Sequence, residues 1–193
     1  MAQTAALFAP ASIDRLRAAD APLALQMAGI VGFAALTAAF AQAELRIYLW
    51  EVPLTLQTVA VYASGLFLGR RNAALAMGLY LLAGLVLPVF AGGGSGAAHL
   101  LGLTGGYLLA MPLVAFLTGH LTTSRRSFGQ TLLALAAGSV VLFAFGASWL
   151  HVAAGHEAWT TTAVAGWLRF VPWDVAKIAL VASLYAAARH ATR

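Results

Sequence analysis

Cysteine is absent from this chain of 193 residues, and charge is scarce, with only 9% of side chains being Asp, Glu, Lys or Arg. The first absence excludes a disulfide framework, thiolate catalysis and thiolate metal sites, and leaves the compartment open. The second excludes an ordinary soluble domain, in which roughly a quarter of residues are charged. No Ser/His/Asp order and no pair of embedded carboxylates suggests catalysis. The glycine-rich stretch Phe90-Ala-Gly-Gly-Gly-Ser-Gly96 lacks the Lys-Ser/Thr ending of a phosphate loop and follows no soluble strand, so nucleotide binding there is rejected. His99, His120, His151, His156 and His190 contain no i, i+4 pair, and a metal site is not expected. The basic residues come in ones and twos rather than clustered with aromatics, which argues against a nucleic-acid partner.

What is present is oil. Apolar residues make up 62% of the chain and mean hydropathy is +0.86, so membrane lipid is the expected solvent for most of it. Uncharged apolar runs predict spans at Leu23–Ala43, Val52–Gly69, Ala73–Ala91, Leu100–Leu121 and Phe128–Leu150. A sixth, Val171–Ala188, is the one that carries charges. The runs are continuous and rich in Leu, Ala and Gly, without the period-two alternation of a barrel strand. The expected fold is therefore all-α, an integral membrane bundle of six helices. Residues 1–22 read as a retained cytoplasmic extension and 23–190 as the transmembrane domain, with no internal repeat.

The basic residues give the expected orientation. With the N-terminus inside, Arg15, Arg17, Arg70, Arg71, Arg125, Arg126, Arg189 and Arg193 all fall on the cytoplasmic side, while Arg46 and Arg169 fall outside. The positive-inside rule then puts both termini in the cytoplasm. The short connection Arg70 to Asn72 forces spans two and three into a tight hairpin. Trp50, Glu51, Gly92, Gly93, Gly94, His151, His156, Trp159, Trp167 and Arg169 collect outside, where a binding site would have to be built. The tryptophans there suit either interfacial anchors or the wall of a pocket.

Asp174 and Lys177 are the acid and the ammonium expected within a span. Charges at that depth usually face a cavity or a partner. Their i, i+3 spacing puts them on one helical face, where they pair with each other or meet a polar ligand carrying both N–H and C=O groups. Thr55 and Gln57 open the second span, either as interfacial polar residues or as donors at the mouth of the bundle, and Tyr107 adds a phenol near the same level. Gly92, Gly93 and Gly94 suit either a flexible hairpin or a lid whose backbone approaches a ligand closely. Ala34 with Ala38 and Ala35 with Ala39 permit close helix contact, inside the bundle or with another membrane subunit.

Five motifs in order carry a family resemblance: Val52-Pro-Leu-Thr-Leu-Gln-Thr58, Gly65-Leu-Phe-Leu-Gly69, Leu87-Pro-Val-Phe-Ala-Gly-Gly-Gly94, Gly102-Leu-Thr-Gly-Gly-Tyr-Leu108 and Pro172-Trp-Asp-Val-Ala-Lys177. Together they resemble BioY, the biotin-binding S components of energy-coupling factor transporters, over about residues 25 to 190. The resemblance implies a multi-pass protein of the bacterial cell membrane that captures biotin at its outer face. It implies partnership with a transmembrane coupling subunit and two cytoplasmic ATPases, no enzymatic activity of its own, and no cofactor besides biotin as transported ligand. Asp174 is then expected to accept from the ureido N–H groups of biotin and Lys177 to donate to the ureido carbonyl or to the carboxylate, with Trp50 and Tyr107 walling the apolar ring. Thr55 and Gln57 would hydrogen-bond, Gly92 to Gly94 would close over the ligand, and Ala34, Ala35, Ala38 and Ala39 would meet the coupling subunit. Leu54 and Leu103 stand where the family usually has Val and Pro, and Leu103 removes a fixed turn.

Overall fold

In an apolar solvent a segment must satisfy its own N–H and C=O groups, and the long apolar runs are helical in the computed structural model, which describes residues 12–18, 21–47, 50–124 and 127–191. The elements in order are α1 (Ser12–Arg17), α2 (Leu23–Gln42), β1 (Glu44–Leu45), β2 (Leu54–Thr55), α3 (Gln57–Gly84), α4 (Gly96–Leu100), α5 (Gly105–Leu121), α6 (Phe128–Ala153), α7 (Trp159–Gly166) and α8 (Val171–Ala191), with single 3-10 turns at Ala91–Gly93 and Leu168–Phe170. Strands β1 and β2 form a small antiparallel ribbon, Glu44 opposite Thr55 and Leu45 opposite Leu54, that joins α2 to α3. Two of the helices, α2 and α6, are long and apolar enough to cross a membrane, as is the stretch Trp159–Ala191 that contains α7 and α8; α5 is a shorter apolar helix.

Helix α3 is folded back on itself. The Gln57 amide nitrogen donates to the Tyr80 hydroxyl at 2.7 Å, although 23 residues of straight helix would hold them roughly 35 Å apart. The reversal is at Gly69 (φ 72°, ψ 175°), a conformation that is essentially reserved for glycine. The first arm is buried or half-buried at every position from 57 to 68, as suits a helix that is apolar all round. It packs against α5 so closely that a Cβ at Gly65 would lie 1.9 Å from the Thr118 hydroxyl. Around it, large apolar side chains stand exposed on the other long helices, among them Leu23 and Val31 on α2, Leu82 on the second arm of α3, Leu133 and Val152 on α6, and Leu184 on α8.

The end of the bundle at Gly69 is closed by Arg17. Its guanidinium donates to the Leu66 carbonyl, to the carbonyls of Gly119 (3.0 Å) and Thr122 (3.2 Å), and to the Thr122 hydroxyl (3.1 Å), with the Tyr185 hydroxyl at 3.5 Å. The carbonyls belong to the last turns of the first α3 arm and of α5, where a helix leaves them without partners and favours a cation. Within the stretch read from sequence as a cytoplasmic extension, the described helix α1 is thus docked into the bundle through Arg17. Arg125, Arg126 and Arg193, three of the residues used for the expected orientation, lie outside the described residues.

Some boundaries differ from expectation. The predicted fourth span breaks at residues 101–104, leaving α4 apart from α5, and the predicted third span ends at Gly84 rather than Ala91. The connection after α6, expected as irregular chain, contains α7. The last span starts at Val171 as predicted, with Pro172 where its missing N–H costs no bond.

Candidate functional site

At the end of the bundle opposite Gly69, the first arm of α3, α5, α6 and α8 diverge beneath the connections 43–56, 85–104 and 154–170. They enclose a cavity of about 270 Å³. Its polar floor begins on α8. Asp174 sits in the first turn, where the helix dipole favours an acid, and is only 4% exposed. Its carboxylate accepts from the Tyr62 hydroxyl, at 3.0 Å to Oδ1 and 3.2 Å to Oδ2, and from the Ser139 hydroxyl at 2.5 Å to Oδ2. One turn on, Lys177 donates to the Thr55 carbonyl at 2.7 Å and to the Thr58 hydroxyl at 3.1 Å. Asp174 and Lys177 both line the cavity but are not bonded to each other: Asp174 is satisfied from α3 and α6 and Lys177 from β2 and α3, so of the two alternatives the local ion pair does not form. An ammonium has three donors, and the two bonds of Lys177 leave one proton for the cavity.

The walls are aromatic. Trp50 meets Phe170 edge-to-face (5.5 Å, 70°), and Tyr107 meets Phe143 in the same way (6.2 Å, 80°). Phe143 in turn stacks on Trp167. Tyr107 gives its proton to the Gly166 carbonyl at 2.5 Å, so towards the cavity it offers its ring rather than a donor. Gln57 is buried; its amide donates to Tyr80 and accepts from Thr55 at 3.1 Å, which ties the mouth of α3 to its own second arm. Met111, Leu108 and Leu142 complete the apolar lining.

At the mouth, Arg46 and His99 also line the cavity. Arg46 is held by Glu44 at 2.7 Å while its side chain stays 69% exposed. Burial, with the Arg46 charge beside it, holds His99 below the usual histidine range, so Arg46 is the cation of the mouth at neutral pH. Ala91 forms part of the wall, and the three glycines predicted to cover it stand one layer behind. A Cβ on Gly92 would meet the Arg46 guanidinium at 2.3 Å, and one on Gly94 the His99 ring at 2.1 Å. Gly93 donates its N–H to the Gln42 side-chain oxygen at 3.2 Å, and the Gln42 side-chain nitrogen donates to the carbonyls of Val89 and Phe90, strapping this turn to the end of α2.

Of the predicted site residues, the fold brings Asp174, Lys177, Gln57, Thr55, Tyr107 and Trp50 around one cavity. Thr58, Phe143, Phe170, Arg46 and His99 line it without having been singled out from sequence, and Tyr62 and Ser139 stand behind Asp174. Nothing in an apolar helix marks one hydroxyl as turned towards a carboxylate. The predicted partner surface divides: Ala34 is buried and Ala38 packs against the core, because that side of α2 faces α3, while Ala35 and Ala39 are exposed. Thr162 is shared by His151 (2.8 Å) and His156 (2.9 Å), and His156 reaches Glu51 at 2.9 Å, so α7 is pinned to the cavity wall.

Comparison with known proteins gives a consistent set of likenesses. The BioY family model matches residues 11–193. The chain is 38% identical to the biotin transporter BioY of Rhizobium etli over 69% of this chain and 75% of that protein. It is 36% identical to the probable biotin transporter BioY of Pyrococcus horikoshii over 76% and 85%. Its fold matches the crystal structure of an S-component for biotin from an ECF-type ABC transporter with a TM-score of 0.76 at 26% identity, covering 86% of this chain and 90% of the other.

Proposed function

The chain belongs to the BioY family, and on that premise we propose that it is the biotin-binding specificity subunit of an energy-coupling factor transporter. The observation that carries the reading is a buried carboxylate and an ammonium side by side at the floor of an aromatic-walled cavity inside an apolar bundle. Small-ligand sites are built in this way, apolar walls with a few convergent polar groups. Biotin has the matching chemistry: a ureido group with two N–H donors and one carbonyl, an apolar thioether ring, and a chain ending in a carboxylate. Asp174 accepts a ureido N–H, and the remaining proton of Lys177 goes to the ureido carbonyl. The thioether ring lies among Trp50, Phe143, Phe170 and Tyr107, and the carboxylate turns to the mouth and Arg46. Gln57 and Thr55 hold the rim, and the Gly92, Gly93 and Gly94 turn backs the mouth as a movable cover.

The bundle crosses the cell membrane six times in this reading, through α2, the two arms of α3, α5, α6 and α8. Support comes from the arginines: Arg15, Arg17, Arg70 and Arg71 lie at the Gly69 end, making it cytoplasmic by the positive-inside rule and turning the cavity outward. Both termini are cytoplasmic. Energy comes from outside the chain, through a transmembrane coupling subunit and two cytoplasmic ATPases, and the exposed small-residue side of α2 at Ala35 and Ala39 suits a close helix partner.

The test is biotin affinity in Asp174→Asn and Lys177→Ala. Each removes a charged hydrogen-bonding group worth about 1.5–3 kcal/mol, so Kd rises roughly 10- to 150-fold. Unchanged affinity in both, with the protein folded, removes these residues from the site.

A further inference from the structure

Asp174 is a carboxylate in an apolar bundle with no cation in bonding contact among the described residues. What reaches it are two hydroxyls from two other helices, Tyr62 on the first arm of α3 and Ser139 on α6. Tyr62 is fully buried, and neither residue lines the cavity. Both therefore hold the carboxylate from behind. Each hydroxyl has one proton, and both protons are spent on Asp174. Oδ2 receives the Ser139 bond and part of the Tyr62 bond, whereas Oδ1 receives only the other part. Oδ1 thus keeps the larger share of unused acceptor capacity, so Asp174 itself presents an acceptor to the cavity, while the donor on the same floor is the Lys177 ammonium one turn on.

Resting on the biotin reading above, we infer that Tyr62 and Ser139 are positioning residues that aim Asp174 at the ligand and make the site demand an N–H at that point. A ligand bringing a carbonyl or ether oxygen there would set lone pair against lone pair, with no hydroxyl proton left to relieve it. A rotating carboxylate would be less selective, because it could turn either oxygen, or neither, towards the ligand.

The experiment measures biotin Kd by titration calorimetry on the purified full chain in detergent, for wild type, Tyr62→Phe, Ser139→Ala, Asp174→Ala and the double variant Tyr62→Phe/Asp174→Ala. Each hydroxyl deletion is expected to weaken biotin about fivefold to tenfold, the scale of one hydrogen bond. In the Asp174→Ala background, which has no side-chain acceptor, Tyr62→Phe is expected to change Kd by less than about twofold, because its target is gone. Ser139→Thr, which restores the hydroxyl, is expected to restore binding. A structural role for Tyr62 predicts the same loss in both backgrounds, and that result overturns the inference. So does wild-type affinity in both Tyr62→Phe and Ser139→Ala. Should Tyr62→Phe fail to fold, the Ser139→Ala and Ser139→Thr pair decides alone. Failure of wild type to bind biotin is distinguishable from these outcomes: it removes the biotin reading, and the inference falls with it.

Discussion

Arg17 gives the clearest case of a residue whose place in the sequence understates its work. Read as one of several topology charges, it turns out to bond the last turns of two helices and the Tyr185 hydroxyl on α8. The residues it binds at Leu66, Gly119 and Thr122 are all buried. Arg17→Ala leaves these carbonyls without a charged donor, at a cost of about 2–4 kcal/mol, and the melting temperature in detergent is predicted to fall by about 5–15 °C. Lysine, a point charge without the guanidinium fork, is predicted to recover only part of that loss; an unshifted melt in Arg17→Ala would contradict the clasp. Asp174 and Lys177 were legible from sequence because a charge in an apolar run is conspicuous. Their partners Tyr62, Ser139 and Thr58 were not, since hydroxyls are common in such helices and only packing decides which way each one turns.

Among the elements, the long helices were legible from apolar runs, and the hairpin from the short basic connection at Arg70 to Asn72. The start of α5 was not, because residues 101–104 are as apolar as the helix that follows, and Leu103 gives no signal for the turn it occupies. Helix α7 was hidden for the opposite reason: its Trp-Thr-Thr-Thr start reads as a polar connection. The fold-back of α3 turns on one backbone conformation. At Gly69 an added Cβ would come no closer than 3.7 Å to any neighbour, so crowding is not the obstacle and the positive φ is. Gly69→Ala is predicted to cost about 1–3 kcal/mol. Gly78→Ala, on a helical stretch of the second arm with open space around it, is predicted to be neutral or stabilising by up to about 1 kcal/mol. Thermal melts of the two variants side by side check the contrast, and equal melts would show that the turn does not depend on glycine.

At the scale of the molecule, the three helices that carry Gln57, Tyr107 and Asp174 at the cavity end are the three that Arg17 joins at the other. The cavity and the clasp therefore sit at opposite ends of the same packed helices. Composition alone placed the chain in lipid and the ordered motifs pointed to the family, but the sequence did not show that six of the chosen residues converge on one cavity. Convergence depends on packing that no linear motif encodes, which sets the start of α3 beside α8, where Lys177 meets Thr55 and Thr58. The biotin proposal rests on this cavity. Binding of labelled biotin to the purified wild-type protein in detergent, with unlabelled biotin, thiamine and riboflavin as competitors, tests it most directly. Saturable binding displaced by biotin and by neither other vitamin is expected; no binding by folded protein, or displacement by thiamine or riboflavin, would overturn the biotin proposal.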